Sequence, residues 1–396
     1  MIQLSPLVRQ LLVLLILAVP VSATAPAPAP SSLTPEMDKL VMEGIDSIYR
    51  MEFDAADVAA QKAMALNPDY PHAYLGAAAN DFIRYIYGPE RADDSLVLSF
   101  EAKTNKSIAV SEAWLKTHPN DADVLLVLGS GYGMRARLAM ERHQWLKAWT
   151  AGSRSMKYIR ASIKANPNLY DSYLGVGMFD YYTDTIPKFA GWLAKVMLGG
   201  SRSRGLQEIR LVAEKGHFAQ TAAQLILVEI ETQDVYGARN TADAVKLMNG
   251  IRRKYPNSSM LHSAQIVSLY ENKDYAEGLR EANEYLERVR AGKYPPNNMS
   301  MARALTGTLR WASGEDKEKA LAEFRAGTDG RPVDRWTVWN KVRAGQLLDL
   351  LGRRAEAVES YKAAYADPDK WDFRPLIKAC IAKSCAVAEP GAFSPN

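Results

Sequence analysis

One stretch of this chain occurs twice. Residues 67–82 read Asn-Pro-Asp-Tyr-Pro-His-Ala-Tyr-Leu-Gly-Ala-Ala-Ala-Asn-Asp-Phe, and residues 166–181 read Asn-Pro-Asn-Leu-Tyr-Asp-Ser-Tyr-Leu-Gly-Val-Gly-Met-Phe-Asp-Tyr. Aligned on Asn-Pro, Tyr74 meets Tyr173, Leu75 meets Leu174, Gly76 meets Gly175 and Asp81 meets Asp180. The Pro stops one helix and fixes a turn, and Tyr-Leu-Gly opens the next helix. A turn-plus-helix unit that recurs cannot bury its own apolar face and must stack on its neighbours. No stretch competes as sheet: Val, Ile and Thr never gather into alternating runs, whereas Val358, Tyr361 and Tyr365 recur at helical spacing.

The spacing of small and large residues extends the pattern beyond the duplicated stretch. Gly44, Ala56, Ala60, Ala63 and Pro68 form a first unit, and Gly345, Leu348, Gly352, Ala357, Tyr361, Ala364 and Pro368 form a last one. Between them, Ala244, Met248, Ile251 and Pro256 suit a second helix, followed by pairs at 259–269 with 275–289 and at 299–311 with 319–325. These positions resemble the tetratricopeptide repeat, in which large side chains of one helix pack against small residues of its partner. The resemblance implies an all-α, right-handed solenoid of roughly eight antiparallel helix pairs. Pro119 and Pro167 fall later than such a unit allows, so an inserted helix is expected near His143–Ala151, and a similar expansion between Gly76 and Pro119. Residues 173–212 also resemble the centre of a eukaryotic tetratricopeptide family of mitochondrial outer-membrane proteins of inclusion-body clearance. They share its Gly-rich helix, its Pro-led segment and its Gly-x-Arg entry to the next helix. That likeness supports the fold and implies no activity.

The two ends read differently. Arg9, the apolar run Leu11–Val19 and Val21-Ser22-Ala23 have the form of a secretory signal over residues 1–23, which makes the expected location periplasmic or secreted. The run falls short of the about 20 apolar residues a bilayer span needs, which leaves an uncleaved N-terminal anchor as the lesser alternative. Residues 24–36 follow as an Ala/Pro-rich linker, 37–375 as the solenoid and 376–396 as a tail. Cys380 and Cys385 are the only cysteines, and an oxidising compartment lets them bridge; so short a loop would pin a terminal turn rather than hold the fold.

Chemistry is sparse. The five histidines are never three or four residues apart, no Ser stands in a nucleophile elbow, and no metal or cofactor is expected. Gly129-Ser130-Gly131-Tyr132-Gly133 lacks the strand that a dinucleotide loop requires and reads as helix. Ser201, Arg202 and Arg204 after Gly199-Gly200 are a candidate anion site, with helix capping by Ser201 or Ser203 as the plainer reading. Phe189, Trp192, Leu193 and Val196 form the apolar face of a helix over 187–198, a candidate hook for a membrane or partner; folding back onto the solenoid is the plainer alternative.

A net charge of +4, from 49 basic and 45 acidic residues, is too thin to argue for nucleic acid. The expected function is therefore a non-catalytic scaffold that binds a protein or peptide in the cell envelope. Tyr74, Asp81, Tyr173, Asp180, Tyr181 and Tyr182 are the candidate contact residues, as first-helix positions that packing leaves free. Two other readings compete. One is an envelope enzyme or substrate-handling subunit, with Asp81 and Asp180 converging on a pocket beside the 176–205 insertion. The other is a scaffold docked on a membrane surface through 187–198.

Overall fold

A computed structural model describes residues 32–87, 93–185, 200–234, 237–330 and 332–391. Among these residues there is no strand; the chain forms consecutive antiparallel helices, each packed on the next. The helices are α1 (Pro35–Tyr49), α2 (Phe53–Leu66), α3 (His72–Tyr87), α4 (Ser95–Leu115), α5 (Ala122–Glu141), α6 (Trp145–Ala165), α7 (Ser172–Thr185) and α8 (Arg202–Lys215). They continue as α9 (Gln220–Gln233), α10 (Thr241–Lys254), α11 (Ser259–Glu271), α12 (Tyr275–Arg290), α13 (Met299–Ala312), α14 (Lys317–Ala326), α15 (Arg335–Leu350), α16 (Arg354–Ala366) and α17 (Arg374–Ala382). Odd-numbered helices are the first members of eight pairs and even-numbered ones the second, with α17 closing the stack. The tetratricopeptide-type all-α architecture is thus present.

The large-against-small rule builds the joints. A Cβ added at Gly345 would come within 2.4 Å of the Tyr361 ring, one at Gly307 within 2.7 Å of Phe324, and one at Gly129 within 2.7 Å of Ile159. Gly129, Gly131 and Gly133 all lie inside α5, where they admit α4 and α6 at close range. Helix starts are capped as their sequences dictate: Thr34, Asp121, Asn240, Ser258 and Asp334 each accept an amide of the first turn.

Three expectations need correcting. No extra helix is inserted near His143–Ala151: His143 is a turn residue at φ 56°, and Trp145 starts α6. The late prolines follow from length, because α4, α5 and α6 run 21, 20 and 21 residues. The helical body also starts at Pro35 and continues through Ala382, beyond both expected boundaries.

The stack also closes on itself. The Tyr255 hydroxyl at the end of α10 donates to Asp46 Oδ1 of α1 at 2.5 Å, and Lys254 Nζ is 3.4 Å from the same atom. Tyr49, Met51 and Ile83 pack into the cluster of Val228, Met248 and Met260. His217 Nε2 meets Asp38 Oδ1 at 2.7 Å. A second seam joins the last pair to the middle, with Lys370 3.4 Å from Asp94 and His143 3.3 Å from Asp372.

His72 is the sensitive point of the first seam. Its ring is buried against Tyr70 at 4.8 Å and Phe218 at 6.0 Å, and neither ring nitrogen meets a hydrogen-bonding protein group. Burial pulls its pKa from 6.5 down to about 4. The folded state therefore binds its proton less readily than the unfolded chain. Stability is complete above pH 6.5 and falls as pH drops from 6.5 towards 4, by about 3 kcal/mol in all. Urea midpoints measured across that range should decline in the parent and decline less in His72→Phe; equal slopes would remove His72 as the cause.

Candidate partner-binding face

The duplicated stretch ties its polar side chains to the chain itself. The Tyr74 hydroxyl donates to the Pro68 carbonyl at 3.0 Å, and Tyr173 repeats the bond to Pro167 at 3.2 Å. Each Tyr thus ties the start of a first helix back to the Pro that ended the previous one. Asp81 is buried on α3 and accepts from Ser99 Oγ at 2.6 Å and Lys103 Nζ at 2.8 Å, both on α4. Asp180, buried on α7, takes Arg204 Nε of α8. In both copies, then, a carboxylate late in the first helix holds a cation from the second helix of its own pair. Buried carboxylates require such a partner.

Packing does not leave these positions free, contrary to expectation. Tyr181 is buried and donates to Asp234, and burial pushes its hydroxyl pKa upward. Tyr182 is half-buried, with its hydroxyl 3.4 Å from Glu229 Oε1. Asp81 and Asp180 engage separate helix pairs rather than one cleft, so the geometry required for a shared acid and base is missing. No group of three or more metal-ligating side chains occurs among the described residues.

The anion candidate is occupied by the chain itself. Ser201 caps α8, accepting from the Arg204 amide at 3.4 Å. The Arg202 amide donates to Asp184 Oδ2 at 3.2 Å, and the Arg204 guanidinium holds Asp180. Carboxylates thus already complement this helix start. Phe189, Trp192, Leu193 and Val196 lie outside the described residues.

An extended segment lies instead on the last three first helices. Cys380 of α17 is joined by a disulfide to Cys385 just beyond the helix, and the chain turns back along the stack. The Cys385 amide donates to Asp349 Oδ2 at 2.8 Å, on α15. The Ala388 carbonyl accepts from Trp311 Nε1 at 3.3 Å, on α13. The Pro390 and Gly391 carbonyls accept from the Tyr270 hydroxyl on α11, the latter at 2.6 Å. The segment crosses one helix about every three residues. An extended chain advances about 3.3 Å per residue, so three residues match the 8–10 Å typical between packed helices.

Tyr270, Trp311 and Asp349 are equivalent positions. Each is the penultimate residue of its helix and stands three residues before a turn residue of positive φ, namely Lys273, Gly314 and Gly352. Beneath them, Arg343 is buried between Trp339 at 4.6 Å and Trp311 at 5.9 Å, and burial lowers its pKa to about 10, which leaves it charged at neutral pH. Asp349 is fixed by two bonds from Arg354 at 3.0 and 3.1 Å and one from the Tyr361 hydroxyl at 3.0 Å. The Tyr275 ring, 5.7 Å from that of Tyr270, borders an open hollow also lined by Lys273, Glu277 and Ser313. This face makes main-chain hydrogen bonds to a non-helical, Pro-containing stretch that carries one carboxylate, Glu389. Sequence reasoning missed it because the three contact residues differ in type. Their shared distance from the turn is the signal that finds them.

No family model matches the sequence, and no curated protein matches it. Solved structures similar to it include a tetratricopeptide repeat protein from Parabacteroides merdae, at 14% identity over 75% of this chain and 94% of that one, with a TM-score of 0.32. Yeast Tom70 is similar at 11% identity over 81% of this chain, with a TM-score of 0.40, and the match spans 66% of the Tom70 chain.

Proposed function

We propose that this chain is a non-catalytic helical-repeat scaffold, exported to the cell envelope, that binds an extended segment of a partner protein across the ends of α11, α13 and α15. The observation that carries this reading is the path of residues 385–391, held by Asp349, Trp311 and Tyr270 through backbone groups. Recognition through backbone groups tolerates many side chains, so the partner segment is specified by its extended form, by one amide donor for Asp349, and by carbonyl acceptors for Trp311 and Tyr270 spaced about three residues on. Export rests on Arg9, the apolar run Leu11–Val19 and the small residues at 21–23. The absence of a convergent nucleophile, base or metal set in the sequence favours binding over catalysis.

A synthetic peptide of residues 384–391, with Ser in place of Cys385, tests the face. Calorimetry should detect binding to a chain ended after Lys383 and none to the full chain, whose face is occupied. Tyr270→Phe in the shortened chain should weaken the peptide roughly 2- to 13-fold, the range for one lost hydrogen bond. Absence of binding by a shortened chain that keeps its helical content would overturn the reading.

A further inference from the structure

A different surface, at the α5–α6 turn, carries an inference independent of the peptide face. Trp145, Leu146 and Trp149 in the first turns of α6 are 64%, 78% and 53% exposed, beside Met140 at 55% at the end of α5. Leu98, 70% exposed, lies one turn into α4, whose start is tied to this corner by the 3.2 Å Arg142–Asp94 ion pair. Five of the eight large exposed apolar side chains of the described structure thus gather at one corner. Scattered single residues of this kind are ordinary, but a cluster is not.

The rest of α6 supplies a second observation. Its 21 residues contain Lys147, Arg154, Lys157, Arg160 and Lys164 and no acidic residue. All five cations are exposed, whereas Ala148, Ser155, Met156, Ile159 and Ser162 face inward. At 100° per residue, Trp149, Leu146, Lys157, Arg160 and Lys164 fall within one outward arc of about 80°. Of the acidic groups near the corner, Asp94 is engaged with Arg142 and Lys370, and Asp372 with His143.

The geometry points to α6 as a docking surface for an anionic phospholipid membrane. Cations alone suit any polyanion, but two tryptophans and a leucine standing in water at the leading end want an apolar layer as well. An anionic bilayer offers both, with indole rings settling at the headgroup level and the cations against the lipid phosphates. A second copy of this chain would oppose one wholly cationic helix with another and be repelled. No described helix is long and apolar enough to cross a membrane, so this contact lies on the surface.

The test uses the full chain with Leu146→Cys carrying an environment-sensitive dye, a single labelling site because Cys380 and Cys385 are bonded to each other. Vesicles of phosphatidylcholine with about one quarter phosphatidylglycerol should brighten the dye and sediment the protein, and pure phosphatidylcholine should do neither. Arg160→Glu with Lys164→Glu should weaken this binding at least about twenty-five-fold, taking roughly fivefold for each cation removed. Trp145→Ser with Trp149→Ser should weaken it roughly tenfold or more. The proposal is overturned if anionic vesicles bind no better than neutral ones, or if sedimentation occurs without a dye response. It is equally overturned if the tryptophan variant binds like the parent, or if a short DNA duplex brightens the dye as strongly as vesicles do.

Discussion

An Asp349→Ala chain should lose about 3–5 kcal/mol of stability and release its C-terminal segment in the same step. The carboxylate is buried at the end of α15 and receives four bonds, two from Arg354 and one each from Tyr361 and the Cys385 amide. Removing the carboxylate leaves the buried Tyr361 hydroxyl and the Cys385 amide without an acceptor, and these two unmet donors, more than the partly exposed Arg354, set the size of the loss. Arg354 also donates to the Ile381 carbonyl at 2.7 Å, so its displacement loosens the end of α17 as well. Urea unfolding monitored by Trp fluorescence measures the first effect. Hydrogen exchange at residues 385–391 measures the second, and protection there that survives the substitution would separate Asp349 from the segment.

Phe324→Ala should cost about 3–5 kcal/mol by a different route. The ring is fully buried, sits against the space above Gly307, and meets Trp311 edge-on with centroids 6.4 Å apart. Truncation leaves a cavity that a backbone-to-ring contact cannot refill, because Gly307 has no side chain to move in. Gly307→Ala approaches the same joint from the other side, where its Cβ would lie 2.7 Å from the ring. That overpacking is expected to cost about 1–3 kcal/mol. The ranking of the two variants by chemical denaturation checks the joint; a Phe324→Ala loss below 1.5 kcal/mol would show that the site collapses freely.

The helix pairs were legible because their rule is local. Gly345 and Tyr361, or Ala244 and Met248, announce themselves by spacing along the chain. The destinations of Tyr74, Asp81 and Asp180 were not legible in this way. A Tyr that closes a turn and a Tyr that awaits a ligand have the same sequence context, and only the 3.0 Å bond to Pro68 separates them. Asp81 and Asp180 recur at matching positions because each pair needs a buried cross-link between its helices, which accounts for the repetition without any catalytic role. Helix length was misjudged for a physical reason too. The long second helix α4 has no Gly or Pro to mark where a shorter unit would have stopped, and in α6 the one Gly, Gly152, lies inside the helix without ending it.

The corner at Trp145 was readable in principle, since an acid-free helix opening on Trp-Leu-Lys-Ala-Trp is visible by eye. It was overlooked because an apolar residue at a helix start is usually taken as core, and only exposure reveals otherwise. The seams could not be foreseen at all, because nothing in the neighbourhood of Asp46 points to Tyr255.

Those seams change how the chain must be assembled in time. A repeat stack in which every unit touches only its neighbours can fold as it emerges, each pair settling on the one before. Here the first helix waits for a hydroxyl 209 residues further on, and Asp94 waits for a lysine 276 residues away. During synthesis the leading pair therefore carries Tyr49 and Met51 uncovered until α10 arrives. Such distant contacts raise the contact order well above that of an open array, slow the final closure, and make it an all-or-none event rather than the last of many equal steps. The growing chain accordingly passes through a long interval in which its leading end needs protection from wrong partners.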